Sequence, residues 1–271
     1  MDHPSHKHHF LVIAGASRGA RLFIKKALQQ GHSVTTLCRA KDDAAALVRM
    51  QELLVKTKLT EDDIPLADIP GNLRAYNQDI LENETYHQLL NEDPSINRVC
   101  CFVGATSLRQ MLNRRSSLYS GTIKALITGM RSSRWVEFYY HGSSGSEGPP
   151  GQNIPQLPAN FQPQWLLNLG LKLPAAQDCF KSEGLLAEAA GSGMKFVIFR
   201  PAWLTNDPAK RSYGYCFNTT GLDNETLPLR KAKTTISRED VAEEILRVST
   251  LPEQERAEWF GHGVYLVDIK Q

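Results

Sequence analysis

The 271-residue chain is short of most features that mark a specialised class, and each shortage excludes something. Its five cysteines, Cys38, Cys100, Cys101, Cys179 and Cys216, include no Cys-x-x-Cys pair. Several sit within apolar runs, where a thiol packs as a small hydrophobe, so a reducing cytosol and no structural metal are expected. No stretch of 18 apolar residues occurs, and the polar start MDHPSHKHHF lacks the apolar segment of a secretion signal. A soluble cytoplasmic protein without membrane contact is therefore expected, and the histidines at positions 3, 6, 8 and 9 read as a polar terminus rather than metal ligands. An excess of one charge is also missing, since 31 Lys and Arg stand against 29 Asp and Glu, interspersed, for a formal net charge of +2. Bulk electrostatics thus give no support to a nucleic-acid partner, and any anion site must be local.

What is present is an ordinary globular composition, 41% hydrophobic and 22% charged, with a regular alternation of elements. Short β-rich runs at 10–14, 33–38, 73–77, 99–105, 135–140 and 195–200 are separated by helical patterns at about 20–30, 42–58, 84–92, 114–130 and 176–192. Strands joined through helices predict right-handed crossovers and a mainly parallel sheet covered on both faces, a doubly wound α/β fold. The whole chain, 1–271, reads as one nucleotide-binding domain. Residues 1–200 would form the cofactor core and 201–271 a small mixed lobe bordering the substrate, with a helix in SREDVAEEILRV capped by Ser237. Two irregular segments interrupt the alternation, KLTEDDIPLADIPGN after the second helix and the Gly/Ser/Pro-rich 141–164 after the fifth strand. The second would border the ligand crevice at the carboxyl edge of such a sheet.

The stretch LVIAGASRGARLF runs from a strand into a Gly-containing turn and then a helix expected to begin near Ala20. In that context Gly15 would allow a tight turn and Gly19 a close backbone approach, with Ser17, Arg18 and Ala20 completing a phosphate-binding loop at the helix N-terminus. Arg21 stands where a third glycine usually permits close helix–strand packing. At the end of the second strand, Arg39 occupies the position where an acidic residue would select NAD and an arginine accommodates the 2′-phosphate of NADP. Arg18 and Arg39 together thus point to NADP(H).

Taken with NQDI (77–80), CFVGATS (101–107), FYYHGSSG (138–145), FKSEGLLAEAAGSGMKFVIFRPAWL (180–204) and ISREDVAEEIL (236–246), this motif resembles the atypical short-chain dehydrogenase/reductase family, including its NmrA-like branch. The resemblance spans almost the whole chain. It implies adenine contacts from Asp79 and Ile80, ribose contacts from Gly104 and Ala105, and a nicotinamide flanked by Pro201 and Ala202. Carbonyl-reducing members carry a serine after the fifth strand and a Tyr-x-x-x-Lys helix, which map to Ser143 or Ser144 and to Lys181, the latter on the cofactor ribose. Gln177 stands where the tyrosine should be and has no ionisable proton to give. Asp178 and His141 are the alternative proton donors, with a serine, water, Tyr139, Tyr140, Tyr213 or Tyr215 behind them. Trp165, Trp203, Tyr213, Tyr215 and Phe217 would line an apolar pocket or belong to the core.

The resemblance implies an NADPH-dependent oxidoreductase acting on a small, mostly apolar carbonyl, enone or imine. The missing tyrosine keeps two other readings open, a non-redox NADP(H) sensor that engages a protein partner and a cofactor-retaining isomerase or cyclase. A homodimer or a protein partner, and no metal, complete the expectations.

Overall fold

The computed structural model describes residues 7–61, 63–104, 111–113, 117–143, 173–217 and 235–269. Ala105, Ser144 and Trp165, and the side chains of Cys216 and Phe217, lie outside what is described. In chain order the elements are β1 (His9–Ile13), α1 (Arg18–Gln29), β2 (Ser33–Leu37), α2 (Asp43–Val55), β3 (Asn72–Tyr76), α3 (Asn83–Glu92), β4 (Ile96–Cys101), α4 (Leu118–Ser132) and β5 (Glu137–His141). They continue with α5 (Pro174–Ala190), β6 (Phe196–Pro201), β7 (Trp203–Thr205), β8 (Tyr213–Phe217), β9 (Thr235–Ser237), α6 (Arg238–Thr250), α7 (Glu253–Ala257) and β10 (His262–Asp268).

Eight strands form one sheet in the order β3-β2-β1-β4-β5-β6-β10-β8, parallel except for β8, which runs antiparallel to β10. The strand order turns back between β1 and β4, and in an open parallel sheet that switch point opens a crevice at the carboxyl ends of the strands. Strand β1 shows why the sequence reads as continuous apolar runs. All five of its residues are buried, because helices cover both faces of the sheet. Phe10 and Val12 join one core with Phe23 and Ile24 of α1, Met50 of α2 and Ile245 of α6. Leu11 and Ile13, pointing the opposite way, join Tyr86 of α3, Leu126 of α4 and Leu186 of α5.

Each of the expected strands and helices is present, with displaced ends. The stretch after Arg200 departs most from expectation. It supplies β10 and β8 to the main sheet, while β7 and β9 pair in a separate two-stranded parallel ribbon. No helix among the described residues is long and apolar enough to cross a membrane.

Candidate functional site

The β1–α1 turn is built differently from its sequence reading. The left-handed residue is Ala14, with φ of 62°, and not Gly15. Gly15 is required by its neighbour instead, since a Cβ there would sit 2.0 Å from Thr36 Oγ1 on β2. That hydroxyl is itself held, donating to Val12 O at 2.8 Å. A Cβ at Gly19 would meet the Phe102 ring at 3.3 Å, so this glycine makes room for the end of β4. Helix α1 begins at Arg18, two residues before the expected start, because Ser17 caps it. The Ser17 hydroxyl accepts from Ala20 N–H at 3.3 Å, and the Ser17 carbonyl accepts from Arg21 N–H at 3.0 Å. The backbone N–H groups of Arg18 and Gly19 have no hydrogen-bond partner among the described residues, which is the condition for anion binding at a helix N-terminus.

Arg21 does not disturb helix–sheet packing. Ala20, Phe23, Ile24 and Ala27 face the sheet and are fully buried, while residues 18, 21 and 22 form the outer flank. There the side chains of Arg18, Arg21 and Arg238 line a common cavity to which Arg39 does not contribute.

Arg39 is exposed at the end of β2 and forms no ion pair among the described residues. The nearby carboxylates are engaged, Asp42 capping α2 at Ala45 N–H (2.8 Å) and Asp43 accepting from Asn77 N–H (2.7 Å). Asn77 Oδ1 in turn accepts from Ala40 N–H at 2.9 Å, tying the ends of β2 and β3 together. Asp79 is exposed just beyond β3, with its carboxylate on Leu81 N–H at 2.9 Å, and the half-buried Ile80 carbonyl accepts from the Tyr86 hydroxyl at 2.7 Å. Gly104 follows β4, and a Cβ there would lie 3.8 Å from the Tyr119 hydroxyl. Sequence reasoning missed Tyr119; it lies at the start of α4, where the pattern SSLYSG signals only a helix beginning.

The proton donors named from sequence fare poorly. Asp178 is buried and caps α4, accepting from Tyr119 N–H (2.8 Å), Ser120 N–H (3.3 Å) and the Ser120 hydroxyl. Its carboxylate is a structural acceptor, a correction that follows from its lying on the buried side of α5 while Gln177 and Lys181 share the exposed side one turn apart. His141 ends β5, its ring 5.6 Å from that of Phe102. Burial pushes its pKa down to about 4, so near neutral pH it carries no imidazolium proton to give. Tyr139 and Tyr140 are buried in the sheet, hydrogen-bonded to Glu137 (2.9 Å) and Ser182 (3.0 Å), and burial raises both pKa values. Tyr213 donates to Glu244 at 2.8 Å, and Tyr215 packs on Trp259 with ring centres 5.0 Å apart, so both serve the core rather than a pocket. Trp203 is exposed, as is Ser143.

Pro201 and Ala202 are buried at the carboxyl end of β6, where Ala202 N–H donates to Leu266 O of β10 at 2.9 Å. The preceding residue, Arg200, forms a fully buried two-point ion pair with Glu183 of α5 (2.6 and 3.2 Å) and lies against the Tyr265 ring. This pair fixes the helix carrying Lys181 against the strand carrying Pro201, another feature not visible in the sequence. Among the described residues no group of three or more His, Cys, Asp or Glu is placed to hold a metal ion.

The sequence matches no known family model and no curated protein. Solved structures are similar in fold at low identity. A short-chain dehydrogenase/reductase from Veillonella parvula, solved in complex with NADP, aligns at a TM-score of 0.59 and 15% identity, over 96% of this chain and 94% of that one. The terminal R domain of the myxalamid biosynthetic pathway aligns at a TM-score of 0.66 and 15% identity, over 96% of this chain and 66% of that one. A protein provisionally named an NADH-flavin reductase, from Streptococcus pneumoniae, aligns at 0.57 and 14%, over 96% and 99%. The chain has the doubly wound α/β fold of short-chain dehydrogenases/reductases.

Proposed function

We propose that the chain binds NADP(H) along the carboxyl edge of its sheet and works as an oxidoreductase on a small, mostly apolar carbonyl, enone or imine. The observation that carries this reading is the β1–α1 turn, where a Ser17-capped helix presents the Arg18 and Gly19 N–H groups at the topological switch point. A dinucleotide pyrophosphate suits such a turn in charge and in shape. Arg39 supports NADP(H), because the end of β2 offers a cation and its carboxylates are engaged elsewhere. Asp79 and Ile80 would border the adenine, Gly104 and Ala105 the ribose, and Pro201 and Ala202 the nicotinamide.

When bound, the nicotinamide supplies or accepts a hydride. The chain would orient the substrate beside it, and Lys181, on the exposed side of α5, would meet the ribose, with α5 fixed by the Glu183–Arg200 pair. Asp178 caps α4 and His141 is neutral, so the proton would come from Ser143, Ser144 or water near Lys181. The test is NADPH oxidation with a panel of carbonyl, enone and imine compounds. Turnover that falls by roughly 100-fold or more in Lys181→Ala, with NADPH still bound, supports the reading; NADPH bound with no turnover on the panel counts against oxidoreduction.

One observation favours a second reading. The exposed face of α5 carries Gln177, which has no ionisable proton, one turn before Lys181, which suits a protein that binds NADP(H) without redox chemistry, either as a sensor for a protein partner or as an isomerase or cyclase. Nucleotide binding without a change in its oxidation level, together with a product of unchanged oxidation state or a captured partner, would support it.

A further inference from the structure

On the outer flank of α1, away from the sheet, lies a cavity of about 640 Å³ closed by the segment after α2 and the turn after β7. Five cations line it, Arg18 and Arg21 from α1, Lys56 and Lys58 from the segment after α2, and Arg238 at the start of α6. Two carboxylates, Glu239 and Asp207, also line it, and both have partners. Glu239 accepts from Thr60 N–H at 3.0 Å and pairs with Lys26 at 3.1 Å, while Asp207 faces Lys210 at 3.7 Å. Of the five cations, Lys58 alone has a carboxylate within reach among the described residues, Asp63 at 3.5 Å, which it shares with Lys25.

Arg21 Nε is buried and has no hydrogen-bond partner among the described residues. Arg238 is fixed by donating to the carbonyls of Leu204 (3.2 Å) and Thr205 (3.1 Å) and to Asn206 Oδ1 (2.7 Å). Burial, then the charge of Arg18, holds both the Arg21 and Arg238 guanidinium groups below their ordinary pKa. Arg18 thus repels both Arg21 and Arg238, and five cations face two already engaged carboxylates around the space, an excess of positive charge that an anion would offset.

We propose that this cavity binds a small phosphorylated metabolite, its phosphate between Arg18, Arg21 and Arg238 and its carbon body against Leu22, Leu59 and Pro208. A phosphate matches the guanidinium fork in geometry and carries enough charge for several cations at once. The volume falls in the range of small-molecule sites, roughly 300–1,000 Å³. Of the residues proposed for the dinucleotide the lining contains Arg18 but none of Arg39, Asp79, Gly104 or Pro201, so the cavity adjoins the proposed crevice at Arg18 and extends away from the rest of it.

Calorimetric titration with phenyl phosphate, and with inorganic phosphate for the head group alone, tests the proposal. One phenyl phosphate per chain is expected, bound more tightly than inorganic phosphate and equally well with or without saturating NADPH. Arg21→Gln/Lys56→Gln should weaken it by about tenfold or more, and so should Lys56→Gln/Lys58→Gln, which changes two exposed side chains and leaves the fold intact by circular dichroism. Arg39→Gln should leave it unchanged. Displacement by NADPH, or equal loss in Arg39→Gln, would place the phosphate in the dinucleotide crevice and overturn the proposal. Absence of binding to the folded wild-type chain at about 10 mM, beyond the weak affinity of an isolated ion contact, would overturn it as well.

Discussion

At the residue scale, burial decides which groups exchange protons. His141 and His32 are both held at about 4 against an ordinary 6.5, principally by burial. His32 Nδ1 accepts from His8 N–H at 3.2 Å, a bond made by the neutral ring. Between pH 6.5 and 4 the unfolded chain therefore binds protons that the folded chain refuses. Stability from these two groups is complete above 6.5 and declines as pH falls toward 4. Chemical denaturation at pH 7.5 and 4.5 should show lower stability at the acid end, and His141→Gln should flatten part of that slope; stability that rises on acidification would contradict it. The Glu183–Arg200 pair makes a second prediction at this scale. Both side chains are 0% exposed, so removing one leaves a buried charge unpaired. Glu183→Ala should cost about 3–5 kcal/mol, read as a drop in the denaturation midpoint. A single position with a local role, such as Ser237 at the cap of α6, was legible in the sequence because a cap is set by the residues next to it. Asp178 was not, because its partners Tyr119 and Ser120 lie about sixty residues away on another helix.

At the scale of elements, the β1–α1 turn owes its shape to β2 and β4 as much as to its own glycines. Gly15→Ala would drive a methyl into Thr36 Oγ1 and should destabilise by roughly 1–3 kcal/mol while weakening nucleotide binding. Gly15→Ala/Thr36→Ala removes the obstructing hydroxyl and should recover part of the loss in thermal midpoint. If the double variant is no more stable than the sum of the single losses predicts, the close approach is not the reason for the glycine. Helix α6 behaves as its sequence suggests, with Ser237 Oγ accepting from Asp240 N–H at 3.0 Å and donating to that residue's carboxylate at 2.7 Å. The start of α1 was placed late because Gly19 reads as loop, whereas in the first helical turn a glycine is tolerated and here leaves room for Phe102.

For the whole molecule, the strand–helix alternation made the doubly wound sheet readable up to β6, since a strand buried on both faces writes an uninterrupted apolar run. Beyond it the signal fades. Strand β10 inserts between β6 and β8, so the last part of the chain completes a sheet begun at His9, a pairing no local pattern encodes. The cationic cavity was likewise hidden, being assembled from α1, the segment after α2 and the start of α6.

NADP(H) is proposed to bind at the carboxyl edge, with Arg39 selecting the phosphorylated cofactor. Equilibrium titration of the wild-type chain and Arg39→Gln with NADPH and NADH tests it most directly. NADPH should bind the wild type more tightly than NADH by about tenfold or more, and Arg39→Gln should remove this preference while leaving NADH affinity unchanged. Failure of both nucleotides to bind, or a preference untouched by Arg39→Gln, would contradict it.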